Sequence, residues 1–189
     1  MSDPPGDRVR LFVALELPDP VITGCVRWRD DILERRADLR AVPPASLHVT
    51  LCFLGWRRDS EVVDIIAAVQ GARTHPAALL SVERAVWLPP RRPRVVALEL
   101  ADDGGRLADV QAALSEDLRA GGWYTPESRP FLAHVTVARV SRGARVRPVE
   151  LAAPTVGPFV GSRVTLFRSR LSPSGAHYEP LAFADLDVS

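Results

Sequence analysis

A chain of 189 residues, 47% of them hydrophobic, has enough apolar surface for one sizeable core, built as a single domain or as two small lobes. All 24 basic residues are arginine, which excludes mechanisms that rest on a lysine: the Walker A loop, a lysyl-nucleotidate and a Schiff base. The net charge of +1 argues against a broad basic face for duplex binding, and no apolar run approaches the roughly 20 residues of a membrane span.

After a short, mobile start, residues 9–17, VRLFVALEL, are rich in β-formers and predict a strand. Pro18-Asp19-Pro20 ends it, with Asp19 as the N-cap of a helix reaching about residue 39. Along that helix Val21, Cys25, Trp28 and Ile32 recur at helical spacing. Pro43-Pro44 breaks the chain before residues 46–55, SLHVTLCFLG, a strand closed by Gly55. Asp59 or Ser60 caps a second helix, with Val62, Ile65, Ile66 and Val69 as its apolar stripe.

Residues 79–87 predict another strand. The prolines and arginines of residues 89–94 make a stiff basic loop, read as a solvated connection that could also meet a polyanion. Residues 95–102, VVALELAD, predict a strand, and residues 105–119 a helix with Leu107, Val110, Leu114 and Leu118 inward, stopped by Gly121-Gly122. The strand at 131–139, FLAHVTVAR, precedes a polar and irregular stretch. Alternation over residues 163–171 and a Ser-Pro-Ser-Gly turn then predict a hairpin with residues 177–183.

A repeat organises these elements. FVALELPD at residues 12–19 and VVALELAD at 95–102 are each followed by a helical pattern and then by His-Val-Thr; Val13 precedes His48 by 35 residues and Val96 precedes His134 by 38. The same order at nearly the same spacing implies internal duplication. Seven or eight strands and three helices in mixed order fit an α+β, bilobal fold. It has two mainly antiparallel sheets flanked by helices around a central cleft, related by a pseudo-two-fold. Residues 1–189 are expected to form one domain of two interleaved lobes, each with one His-Val-Thr strand.

Alternation in a strand puts His48 and Thr50 on one face, and His134 and Thr136 likewise, opposite apolar rows that include Leu47, Val49, Leu51 and Phe53 in the first. One such histidine reads as an ordinary solvent-facing residue. Two related by a two-fold face each other across one cleft, where groups of ordinary pKa about 6.5 can act as base and acid near neutral pH. Metal binding by the pair is the alternative, but three or four ligands are wanted and only Cys52 lies near. No G-x-S-x-G occurs, and the acidic residues are read on helices and loops, so a serine triad is weaker still. His75 and His177 read as surface or capping residues. Cys25 and Cys52, without CxxC spacing, are expected to be buried thiols rather than a disulfide or zinc site. The opening MSDPPGDRVR lacks the order of a secretory leader, so a cytoplasmic chain is expected.

The motifs HVTL at His48 and HVTV at His134, with the flanking RLFVALELP, PPASLHVTLCFLG, PRVVALEL, RPFLAHVTVAR and LFRSRLSPSGAHYEPL, resemble the RNA 2′,3′-cyclic phosphodiesterases. These enzymes, historically called 2′-5′ RNA ligases, belong to the 2H phosphoesterase superfamily, and the resemblance covers nearly the whole chain. It implies the same bilobal α+β fold with a central cleft and metal-independent hydrolysis of RNA or nucleotide 2′,3′-cyclic phosphate ends to 2′-phosphates, with no cofactor; a monomer that does not engage membranes is expected. It also implies His134 as base, His48 as acid, and Thr50 and Thr136 on the phosphate oxygens. Arg139 matches a basic position of the family motif that would contact phosphate, although strict alternation turns it away from His134. Ala133 stands where the family commonly has proline. Ligation and non-catalytic binding of RNA ends are the competing functions.

Overall fold

The computed structural model describes residues 7–172 and 175–189, without the side chains of residues 171, 172 and 175. The expected mobile start and the tip of the terminal hairpin lie outside the described residues. The chain order is β1 (Arg8–Glu16), α1 (Asp19–Leu33), β2 (Leu39–Ala41), β3 (His48–Arg58), α2 (Val62–Gln70), β4 (Ala78–Leu88) and β5 (Val95–Asp103). There follow α3 (Arg106–Ala120), β6 (His134–Val140), β7 (Phe159–Gly161), β8 (Arg163–Ser172) and β9 (Gly175–Asp185). Nine strands form where seven or eight are expected, and the two that match none of the seven predicted segments are the short β2 and β7.

Three local expectations are corrected. Helix α1 ends at Leu33 rather than near residue 39, because Leu39–Ala41 pair with β6 as a strand. Pro18 occupies the N-cap and Asp19 the first turn, where its charge complements the positive end of the helix. Gly55 does not close β3. It adopts a φ of 69°, a conformation side-chain-bearing residues rarely take, and the strand continues to Arg58.

The strands lie in the order β7-β4-β5-β6-β3-β1-β8-β9, with β2 beside β6, in a curled antiparallel sheet. Its two halves repeat each other. β1, which carries the first VALEL, lies beside β3, and β5, which carries the second, lies beside β6. The halves meet at β3 and β6 through one register pair, Val49 opposite Val135.

The core follows from the apolar rows of these strands and from the helix stripes. Val13, Leu15, Val49, Leu98 and Val135 are buried beneath the sheet, and Ile65 and Val69 of α2 with Leu107, Val110, Leu114 and Leu118 of α3 close over it. Each such side chain contributes about 1.5–3 kcal/mol of transfer free energy. Helix α1 packs against β2 and β6 and carries one buried charge, Arg29. Its guanidinium pairs with Asp30 at 2.7 Å and donates to the carbonyl of Val42, which ties the helix to the segment leading into β3.

Candidate active site

His48 and His134 are the first residues of β3 and β6, and their rings are held in the same way. Nδ1 of His48 lies 2.8 Å from the carbonyl of Ser46, and Nδ1 of His134 lies 2.8 Å from that of Leu132. A carbonyl only accepts, so Nδ1 carries the proton, and Nε2 of the neutral ring keeps a lone pair for chemistry. In the ligand-free cleft the Thr50 hydroxyl donates to Nε2 of His48 at 3.0 Å. Continuing the Val49–Val135 register sets His48 beside Thr136 and His134 beside Thr50. The cleft has a volume of about 610 Å³ and contains all five predicted side chains, His48, Thr50, His134, Thr136 and Arg139.

Arg139 reaches the cleft through a β-bulge. In β6 both Val137 and Ala138 are buried, which costs the strand one step of alternation, so Arg139 emerges on the face of His134 and Thr136. The same irregularity occurs in β3. Leu51 and Cys52 are both buried, and Phe53, expected in the apolar row, is 47% exposed on the face of His48. Phe53 and Arg139 are therefore pseudo-equivalent, each five residues after its histidine. The signal was present as a doubled apolar pair, Leu51-Cys52 and Val137-Ala138, at the same place in both copies.

The surroundings of the histidines break the symmetry. The His48 ring lies 5.0 Å from the Phe12 ring and 5.4 Å from that of Tyr178, with Phe167 at 6.5 Å. Burial among these rings lowers its pKa from 6.5 to about 4; the charges of Arg139 and His134 act in the same direction, and the hydrogen bond to Ser46 opposes. His48 is thus neutral at pH 7 before any substrate arrives.

Several lining residues escaped sequence reasoning. Arg10 lies 4.6 Å over the Phe53 ring and donates to Ser169 at 2.9 Å; Arg40 and Tyr178 complete the walls. His177, read as a surface or capping residue, also lines the cleft, because β9 brings the hairpin alongside β8 and β1. His75 caps a short 3₁₀ turn, in keeping with its expectation. The acidic residues are not confined to helices and loops: Glu16 is the register partner of His48, and Glu99 that of His134. Neither is free to act as a triad carboxylate. Glu16 accepts from the Thr165 hydroxyl, and Glu99 forms a two-pronged pair with Arg84 at 2.7 and 2.9 Å.

Among the described residues no three His, Cys, Asp or Glu side chains group at metal-ligand spacing. Cys25 and Cys52 are free and buried, and burial pushes their thiols up to about 11 and about 12, so both are protonated at neutral pH. No helix among the described residues is long and apolar enough to cross a membrane.

Comparison with known families gives the chain's affiliation. Residues 17–172 match the model of the 2′-5′ RNA ligase superfamily. The chain belongs to this superfamily of phosphoesterase enzymes. It is 32% identical to the RNA 2′,3′-cyclic phosphodiesterase of Thermus thermophilus, over 92% of this chain and 88% of the relative. It is 31% identical to the enzyme of the same name from Methanothermobacter thermautotrophicus, over 90% and 95%. Among solved structures it is similar to TT0787 of Thermus thermophilus, with a TM-score of 0.74 at 29% identity, covering 95% of this chain and 99% of that one. It is also similar to E. coli LigT complexed with 3′-AMP, with a TM-score of 0.73 at 25% identity, over 96% and 99%.

Proposed function

We propose that this chain is a metal-independent RNA 2′,3′-cyclic phosphodiesterase that opens the cyclic phosphate to a 2′-phosphate. The observation that carries the reading is the pair of histidines on adjoining antiparallel strands, each with Nδ1 tied to a carbonyl two residues back, so that Nε2 is in each ring the nitrogen not bound to the main chain. The names and ligands of the relatives, cyclic phosphodiesterases and a 3′-AMP complex, support the same substrate class.

In this mechanism Nε2 of His134 takes a proton from water as the water oxygen bonds to phosphorus. The P–O3′ bond breaks, and His48 gives a proton to O3′. Thr50 and Thr136 donate to the non-bridging oxygens as charge builds on them, and Arg139 supplies a fixed positive charge. Because His48 is neutral in the free cleft, its role as acid requires that the arriving anion bring a proton onto it. A phosphate beside the desolvated ring does so through its own negative charge, which favours the imidazolium and offsets the positive charge of Arg139. The chain's two unpaired cysteines suit the cytoplasm.

The test is incubation of purified protein with RNA ending in a 2′,3′-cyclic phosphate, in the presence of EDTA. A 2′-phosphate end is expected; no turnover, or a strict metal requirement, would sink the proposal. Ligation would put a 5′-hydroxyl of a second strand in place of the water at the same phosphorus, with the same P–O3′ bond broken and O3′ protonated, so matched rates of ligation and hydrolysis on the same ends decide its share.

A further inference from the structure

The arginine-proline loop singled out in the sequence has no part in the cleft chemistry, yet the fold attaches it to the cleft. Arg139 of β6 is the register partner of Arg40 on one side and of Val95 on the other. One step further, the Val140 amide donates to the Arg94 carbonyl at 2.8 Å, so the loop between β4 and β5 is bound to the end of β6. The chain leaving β6 is bound there too, through the Ser141 amide and the Asp38 carbonyl at 2.8 Å. Arg91, Arg92 and Arg94 on one loop and Arg142 and Arg145 on the other are all exposed.

Charge at this end of the sheet is one-sided. Among the described residues no ion pair involves any of those five arginines. The neighbouring carboxylate of Asp38 is already neutralised by a two-pronged pair with Arg36 at 2.8 and 2.7 Å. The near-neutral net charge of the chain thus conceals a local group of arginines on loops whose main chain is bound to the ends of the strands that carry Arg40 and Arg139 of the cleft wall.

We propose that these two loops form a track for the phosphates of the RNA strand that precedes the reacting 3′ end, which makes an oligonucleotide the preferred substrate over a cyclic mononucleotide. The inference rests on the proposed reading of the cleft. A cyclic end is the last nucleotide of its strand, so the preceding phosphates lead away from the reacting phosphorus, and the guanidinium groups of the two loops, the first stiffened by Pro89, Pro90 and Pro93, are the cations available to meet them.

The experiment compares a 2′,3′-cyclic mononucleotide with a single-stranded RNA of about ten nucleotides carrying the same end, using the intact chain and a variant with Arg91→Ala, Arg92→Ala, Arg142→Ala and Arg145→Ala. The wild type should favour the longer RNA in kcat/KM, and the variant should lose about tenfold or more on it while changing less than about twofold on the mononucleotide. Equal loss on both substrates, or no preference for length in the wild type, overturns the track. Anisotropy with the labelled RNA over a range of salt tests the surface without turnover: the variant must bind more weakly and with a shallower salt slope, and unchanged affinity overturns the proposal. Failure of both substrates to turn over in the wild type would strike the reading of the cleft instead, and the binding measurement still decides the track.

Discussion

Val49 lies opposite Val135 in the register pair that joins the two halves of the sheet, and each valine directly follows a histidine. With period-two alternation, this one pairing puts both histidines on the face opposite the buried valines, each abreast of the other copy's threonine. Replacing either histidine with alanine should lower kcat by about 100-fold or more, the usual span of general acid–base catalysis. Both rings are partly exposed, so far-UV circular dichroism and melting should stay close to wild type. Near-wild-type turnover in either variant would rule out the two-histidine mechanism.

The depressed pKa of His48 couples folding to pH. The unfolded chain takes up this proton near pH 6.5 and the folded chain only near 4. The stability associated with the neutral ring is therefore present above pH 6.5 and lost as the pH falls through 6.5 to about 4, an effect on the order of 3 kcal/mol. Urea unfolding at pH 7 and at about 4.5 should show a larger drop for wild type than for His48→Gln. Identical drops would mean that the aromatic surroundings do not desolvate the ring.

Binding of inorganic phosphate should move His48 the other way. An anion in the cleft favours the charged form of the desolvated ring and offsets the positive charge of Arg139, so the ring's pKa should rise from about 4 toward neutrality, seen by NMR of its carbon-bound protons. A His48 that stays near 4 with phosphate saturating would reverse the assignment, making His48 the base and His134 the acid.

The bulges in β3 and β6 put Phe53 and Arg139 in the cleft, so both should affect catalysis more than stability. Arg139→Ala should lower kcat/KM by about ten- to a hundredfold, the range for a lost charged hydrogen bond. Phe53→Ala should weaken binding without altering the pH profile. If Arg139→Ala lowered the melting temperature and left kcat/KM intact, the arginine would be structural.

At the end of α3, the Trp123 ring covers Gly121 so closely that a Cβ there would lie 2.1 Å from its Cζ3. Gly121→Ala must displace a ring packed on the core, with a cost of about 1–3 kcal/mol and a lower melting temperature. An unchanged melting temperature would show that the ring can swing aside freely.

Strands, helices and the pairing of the two copies were legible because they depend on local period and on repetition. The stripe Leu107, Val110, Leu114, Leu118 of α3 and the two VALEL segments needed no tertiary knowledge. Helix α1 was read too long because Leu39 satisfies helical spacing as well as the strand role it takes; only the partner β6, distant in sequence, decides between them. Phe53 was misread for a related reason, since a bulge shifts alternation by one residue and period counting carries the error forward.

The near-identical motifs HVTL and HVTV made the two histidines interchangeable on paper. What separates them comes from elsewhere in the chain: Phe12 from β1, Phe167 from β8 and Tyr178 from β9 gather around His48. Desolvation is a property of everything within a few ångströms of a ring, whatever its place in the sequence. Residue types and their order thus specified which side chains could carry chemistry, whereas packing across the sheet decided which histidine is held neutral and which arginines line the cleft.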